Sequence, residues 1–229
     1  MHTRIARTRA MLVAAAVMLA GFFAPGSLRL MAADAPKEWD GLQLRPSKRV
    51  DRLYLRPEAS LAGYKRVRLE RLQVAFDKNW KPNDSRRGSQ RLTKDDFDKI
   101  KSGLADEFAK VFASELAKGG YQVVDEAGED VLDITPLVVD LYIAAPDKMT
   151  AGRSYSYTAD PGHMTLVAEL RDSETNQILA RAIDARSSSW NNTFRVANSV
   201  TNLAEARMII ARWASALRDA LDEANGRGG

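Results

Sequence analysis

His163 is the side chain in this sequence best suited to acid–base chemistry, because an unperturbed imidazole titrates near neutral pH. The only other histidine, His2, lies in a leader segment. A Ser-His-Asp triad could combine His163 with a serine of the run Ser187–Ser189, yet the sequence contains no Gly-x-Ser-x-Gly nucleophile elbow. A lone histidine at the start of a strand is more often a capping or surface residue. We therefore predict no catalytic residue, and the sequence favours a protein that is not an enzyme.

Carboxylates form the second set of candidates, either as an acid–base pair or as metal ligands. Four of them fall in or beside apolar strands: Asp133, Asp140, Asp172 and Asp184. A buried charge needs a partner, so pairing with arginine or exposure at a strand edge is the commoner explanation. The run after Asp172 lacks the spacing and the glycine of a calcium loop, and no phosphate-binding glycine pattern follows a strand. The chain also has no cysteine, which excludes thiolate and iron–sulfur chemistry. We predict neither a metal site nor a cofactor.

Aromatic and polar side chains in two predicted loops are better candidates, for binding rather than for catalysis. The loops are Ala145–Gly162 and Ser188–Ser199, which flank a predicted hairpin over His163–Ser187 and so lie at its open end. Loops carry binding sites more often than framework does, and aromatic side chains anchor interfaces. The alternative is that these aromatics only cover the edge of the core. The predicted binding residues are Arg153, Tyr155, Tyr157, His163, Trp190, Asn191 and Phe194.

An amphipathic helix within Leu92–Val124 organises the elements that must position these loops. Thr93 is its predicted N-cap, with Asp96 three residues later as in a capping box, and Gly119–Gly120 is its predicted stop. Its interior Gly103 costs about 1 kcal/mol relative to alanine. Its apolar residues recur at steps of three and four on one face: Phe97, Ile100, Leu104, Phe108, Val111, Phe112 and Leu116. Such a face needs a partner surface.

Predicted strands supply that surface. They are Tyr64–Phe76 with a bulge near Glu70–Arg71, Tyr121–Val124, Val131–Ala144, His163–Asp172 and Ile178–Ser187, followed by a second helix at Asn202–Glu223. The order is β-α-β-β-β-β-α, in which the crossover helix makes its two flanking strands parallel. We predict a mixed sheet of about five strands with two helices packed on it, an α+β or α/β fold. Residues 34–63 are expected to be an extended lead-in, and residues 64–229 a single domain.

Residues 1–33 have the features of a secretory signal peptide. Three arginines precede an apolar core at Met11–Ala24, whose 14 residues are fewer than the roughly 20 of a membrane span. Cleavage is expected after Ala32 or Ala33, with Ala35 as a third position. The alternative is an uncleaved anchor. If the leader is removed, no transmembrane helix is expected in the mature chain.

The net charge of +4 belongs to the leader. Four arginines and no acidic residue lie in residues 1–33, so the remaining chain has 30 basic and 30 acidic residues. A nucleic-acid footprint requires a surplus of lysine and arginine on one face. We therefore predict no nucleic-acid partner.

From Trp39 onward the chain resembles the family called domain of unknown function 3313. The motifs that carry the resemblance are Asp40-Gly41-Leu42, Tyr54-Leu55-Arg56-Pro57, Leu61-Ala62-Gly63-Tyr64-Lys65, Gly120-Tyr121-Gln122-Val123-Val124 and Asp130-Val131-Leu132. The family consists of bacterial envelope proteins, many of them lipoproteins, with no established activity. Its lipoprotein members carry a cysteine after the signal peptide, which this chain lacks. The resemblance thus implies a soluble periplasmic protein without a direct lipid anchor.

Three functional hypotheses follow. The first is a non-enzymatic periplasmic or envelope-associated module that binds an envelope protein through the two loops and is held at the outer membrane by that partner. The second is a carrier of a small molecule or a lipid, with a pocket between sheet and helices. The third and weakest is a hydrolase that uses His163.

Overall fold

Eleven strands and two α-helices occupy the part of the chain that the computed structural model describes, namely residues 35–84, 86–143, 146, 156–158, 162–187, 195–197 and 199–227. The strands are β1 (Glu38–Trp39), β2 (Leu42–Arg45), β3 (Arg52–Leu55), β4 (Arg66–Leu69), β5 (Gln73–Phe76), β6 (Gln122–Val123), β7 (Val131–Tyr142), β8 (Ser156–Thr158), β9 (His163–Asp172), β10 (Ile178–Ser187) and β11 (Arg195–Ala197). The helices are α1 (Lys94–Lys118) and α2 (Ser199–Ala224).

Nine strands form one mixed sheet in the order β1-β2-β3-β10-β9-β7-β4-β6, and β5 also pairs with β7. Strands β4, β5 and β6 make the parallel pairs, so the predicted crossover through α1 is confirmed. Strand β9 is antiparallel to both β7 and β10, and the short turn between β9 and β10 makes the predicted hairpin. The predicted class, a mixed sheet with two helices, is confirmed. The number of strands is larger than the five expected.

Three of the additional strands come from the segment predicted to be an irregular lead-in. Asp40 and Gly41 adopt φ values of 54° and 75°, the left-handed conformations that a tight hairpin turn between β1 and β2 requires. Strand β3 then pairs antiparallel with β10, with Leu55 opposite Ala180. Each of these strands has only two to four residues. That is too short for an alternating pattern to be recognisable in the sequence.

The strand predicted over Tyr64–Phe76 is divided into β4 and β5, which pair with successive parts of β7. The register runs from Leu69 opposite Ile134 to Gln73 opposite Leu137. Pro136 therefore lies in the gap between the two partners, where no ladder hydrogen bond is required of it on that side. The bulge predicted near Glu70–Arg71 is therefore a break between two separate strands.

Helix α1 has the predicted ends. The Thr93 side chain accepts from the Asp96 N–H, the Asp96 carboxylate accepts from the Thr93 N–H, and Gly120 adopts φ 77° after the last turn. Its predicted apolar face lies against the sheet, with Phe108 and Leu116 almost fully buried.

Helix α2 packs beside α1 and runs parallel to it. Ion pairs join Glu107 to Arg207 and Glu115 to Arg218, so both helices have their first turns at the same end of the sheet. The Arg207 guanidinium lowers the pKa of the Glu107 carboxyl. Ile210 and Trp213 of α2 are buried, whereas Leu203 near its start is 39% exposed.

Candidate functional site

A crevice of about 270 Å³ lies between the first turns of α1 and α2 and the ends of β7 and β9. Its walls are mainly apolar, with Ile100 from α1, Ile143 after β7 and Ile209 from α2. Polar side chains also line it: Asp96, Lys99, His163, Asn202 and Glu205. Because the helices are parallel, both present their N-terminal halves to this space.

Strand β7 reaches the crevice through an irregularity. The register with β9 shifts between Val139 and Tyr142, and Asp140 adopts φ 53° there. Such a bulge redirects the side chains that follow it. Beyond the strand, the Trp80 indole N–H donates to the Ile143 carbonyl at 3.0 Å. The end of the strand is therefore held by the loop that precedes α1.

The same loop fixes the start of α1. The Asn83 amide donates to the Leu92 carbonyl at 2.9 Å, and its carbonyl oxygen accepts from the Leu92 N–H at 2.7 Å. Leu92 immediately precedes the Thr93 cap. One asparagine side chain thus sets the position of the first helical turn beside the crevice.

His163, a predicted binding residue, is located at this crevice. Its ring stacks on Tyr142 with centroids 5.0 Å apart, and its Nε2 lies 3.5 Å from an Asp77 carboxylate oxygen. Ser187 is its cross-strand partner. Both residues are described by the structure, and no hydrogen bond joins the Ser187 hydroxyl to the imidazole. The arrangement places the imidazole beside the Asp77 carboxylate, but it lacks the serine–histidine bond of a nucleophilic site.

Three of the candidate carboxylates accept hydrogen bonds that connect parts of the fold. Asp133 pairs with the Arg68 guanidinium, with 2.8 Å from Nε to Oδ1. Asp172 accepts from Thr175, whose backbone N–H and hydroxyl lower the pKa of that carboxyl more than Tyr64 does. Within the described residues, no three histidine or acidic side chains are close enough to share a metal ion.

Asp184 is completely buried and is the best satisfied of these carboxylates. It accepts from the Trp213 indole at 2.7 Å, from the Asp51 N–H at 3.0 Å and from the Arg186 guanidinium. It therefore joins α2, the segment before β3, and β10 at one point.

The two loops predicted to bind a partner are joined to each other. Strand β8 from the first loop pairs antiparallel with β11 from the second, with Tyr157 opposite Val196. For Tyr157 only the backbone is described. The other predicted binding residues lie outside the described part of the chain: Arg153, Tyr155, Trp190, Asn191 and Phe194. Their role as binding residues stays a prediction.

Sequence reasoning did not assign the helix residues that line the crevice. Gly103 is the informative one, because it is a glycine inside a helix. A Cβ built on Gly103 has no atom within 4 Å, so the space beside it is open. Packing between α1 and its neighbours does not require this glycine.

Replacement of Gly103 by alanine is expected to raise the free energy of unfolding by about 1 kcal/mol, because alanine restricts the unfolded chain and meets no steric obstacle. Urea denaturation followed by far-UV circular dichroism measures the change. A loss of stability would contradict the open space beside the residue. Ala109→Gly, at an exposed position in the interior of the same helix, is the matched reverse change and should lower stability by a similar amount.

Comparison with known proteins gives a family match and distant structural likenesses. A family model described as "Protein of unknown function (DUF3313)" matches residues 33–217. The PelC dodecamer from Paraburkholderia phytofirmans is similar at 12% identity and TM-score 0.36, covering 72% of this chain and 96% of its own. Protein XCC0632 from Xanthomonas campestris has 13% identity and TM-score 0.36, covering 71% and 86%. A minor lipoprotein from Acinetobacter baumannii has 13% identity and TM-score 0.32, covering 72% and 95%.

No curated protein matches the chain. In the described residues, neither helix combines the length and the apolar character needed to cross a bilayer.

Proposed function

The chain belongs to the DUF3313 family, and from that membership we propose that it is a non-enzymatic binding module of the bacterial envelope, which holds an apolar side chain of a partner protein in the crevice between α1 and α2. The observation that carries this proposal is the open space beside Gly103 in a mainly apolar wall. The leader, residues 1–33, directs the protein to the periplasm, and the partner holds it at the outer membrane. The two predicted loops contribute further contacts.

The composition of the crevice supports this proposal. Protein interfaces combine an apolar, desolvated centre with a polar rim. Here an apolar interior that includes Ile100, Ile143 and Ile209 is accompanied by Asp96, Lys99 and other polar side chains. A partner side chain would bury its apolar surface inside and find hydrogen-bonding groups at the margin.

Exposed apolar surface lies beside the crevice. Among the described residues, the large apolar side chains that are exposed are Val123, Leu203 and Met208. Two of these three are on the first half of α2, and Leu203 also lines the crevice. Exposed apolar surface next to a pocket is typical of interaction sites.

The test uses a photo-crosslinking amino acid at Leu203, with the same amino acid at Val123 as control. The two positions have nearly equal exposure, 39% and 41%, but Val123 lies on β6 at the far edge of the sheet. In cells, irradiation should link the Leu203 protein to one discrete species in the envelope fraction, and the Val123 protein to none. Equal yields from both positions would contradict the proposal.

A blocking variant makes the test specific to the crevice. Gly103→Phe places a ring in the open space and should lower the crosslinking yield at Leu203 at least about tenfold, because closing the pocket of an anchor side chain costs about 2 kcal/mol or more of binding. Gly103→Ala, which leaves most of the space open, should retain the yield. An unchanged yield in a folded Gly103→Phe protein would overturn the assignment of the crevice.

A further inference from the structure

A second cavity, of about 430 Å³, lies between the sheet and the C-terminal half of α2, and it shares no lining residue with the crevice. Its floor is formed by β3, β10 and β9, and its roof by α2. Its deep end reaches core side chains that include Phe112, Ile134 and Trp213. The volume falls within the range of about 300–1,000 Å³ that is usual for small-molecule sites.

Small side chains on two opposed surfaces leave this space open. On the sheet, Ala182 lies opposite Ala168 across the β9–β10 pair, and Ala180 lies opposite Leu55 across the β3–β10 pair. On α2, Ala216 and Ala220 line the facing surface. Protein interiors normally interdigitate large against small side chains with few voids. Here alanines on the sheet and on α2 leave part of the space between larger apolar side chains unfilled.

Polar side chains line the cavity where the segment before β3 meets α2. Arg49 pairs with Glu223 at 2.9 Å, and their side chains are 44% and 70% exposed. Ser47 and Ser60 line the same cavity. Among the described lining residues, Arg49 is the one cation and Glu223 the one anion. The wall elsewhere is apolar.

The segment that carries Arg49 is tied down at both ends. Asp51 donates its N–H to the buried Asp184, and its carboxylate accepts from the Ala185 N–H at 2.9 Å. At its start, the Ser47 hydroxyl accepts from the Arg49 N–H at 3.1 Å and from the Val50 N–H at 3.2 Å. Arg49 is thereby kept beside the cavity without a buried partner of its own.

From these features we propose that the cavity binds a single-chain amphiphile with an anionic head. The aliphatic chain lies between the alanine-lined surfaces, where it removes apolar wall from water. The anionic head takes the place of Glu223 as the partner of Arg49. Loss of the pair with Glu223 costs little, because an exposed ion pair contributes little to stability. This site is independent of the partner site proposed above.

The test measures binding of laurate, dodecanol and dodecyltrimethylammonium to the full-length mature protein, below their micellar concentrations, by displacement of a fluorescent fatty acid. We expect laurate to bind most tightly and the cation most weakly. Ala182→Leu places a larger side chain on the floor of the cavity and should weaken laurate binding at least about tenfold. The reason is that the added side chain occupies space that the aliphatic chain of laurate fills, and a filled space does not accommodate it. Absence of probe binding to the wild type, or unchanged binding to folded Ala182→Leu, would overturn the proposal.

Two further variants identify the head-group contact and guard against misfolding. Arg49→Gln should weaken laurate binding about threefold to tenfold and leave dodecanol binding unchanged, since the lost interaction is a charge-assisted hydrogen bond. Equal losses for both ligands would overturn the assignment of Arg49.

Ala216→Leu fills the same cavity from the helix and replaces Ala182→Leu if that variant does not fold. Ala117→Leu, at an exposed position of α1, is the matched control and should bind like the wild type.

Discussion

Replacement of Asp184 by alanine is expected to lower the free energy of unfolding by about 3–5 kcal/mol, the range for breaking a buried charged pair. The carboxylate is fully buried and accepts from Trp213, Asp51 and Arg186. Its removal leaves the buried indole N–H without an acceptor and the Arg186 guanidinium, whose side chain is 25% exposed, without its partner. It also frees the segment that carries Arg49. The substitution therefore weakens the fold and the amphiphile cavity together.

Urea denaturation, followed by circular dichroism with linear extrapolation, measures this loss. Asp184→Asn keeps the shape and part of the hydrogen bonding, so its loss should be smaller. Asp106→Ala is the matched control, because Asp106 forms an ion pair with Arg71 while its side chain is 68% exposed. Its effect should stay within about 1 kcal/mol. If Asp184→Ala were no more harmful than Asp106→Ala, the buried carboxylate would not be the junction we describe.

Glu169→Ala is expected to cost about 3 kcal/mol, because it leaves a buried guanidinium with an incomplete set of partners. Glu169 accepts from Arg181 at 2.9 Å and from Arg171 at 2.7 Å. The Arg181 residue is only 5% exposed and is covered by the Trp39 ring at 3.9 Å. The remaining acidic partner of Arg181 is Asp40, whose side chain is 53% exposed. Asp40 therefore compensates only in part for the loss of the Glu169 carboxylate.

A double variant separates the desolvation effect from lost packing. Glu169→Leu combined with Arg181→Leu removes both buried charges, so it should cost less than Glu169→Ala alone. Glu174→Ala, at an exposed turn position, provides the surface control and should change stability by no more than about 0.5 kcal/mol. A double variant that lost as much stability as the sum of its two single changes would show that the pair contributes by packing and not through charge.

Much of the fold was predictable because its signals are local. The capping box of Thr93 and Asp96, the stop at Gly120 and the three-to-four spacing along α1 each involve residues within a few turns of one another. The alternation that predicted β9 and β10 gave their bounds as observed. Helix and strand periodicities are properties of a short window, so sequence alone suffices for them.

The candidate site was predictable only in its general position. The hairpin placed His163 at its open end, where the crevice lies, because strand direction follows from short turns. Gly103 was visible as an unfavourable residue inside a helix. Its contribution to the crevice became evident only when α2 was located beside it, since no sequence signal relates residue 103 to residue 203.

Sequence by itself thus determined the element order and the apolar face of α1, which depend on neighbours along the chain, and it is the basis on which we propose export. Tertiary structure decided three other features: the lead-in strands at the sheet edge, the crevice, and the second cavity. The physical reason is register. Whether Ala182 meets Ala168 or a large side chain, and whether Ala216 faces them, depends on strand pairing and helix rotation between distant segments. A one-residue slip of β10 would move Ala180 and Ala182 to the other face of the sheet and remove the space.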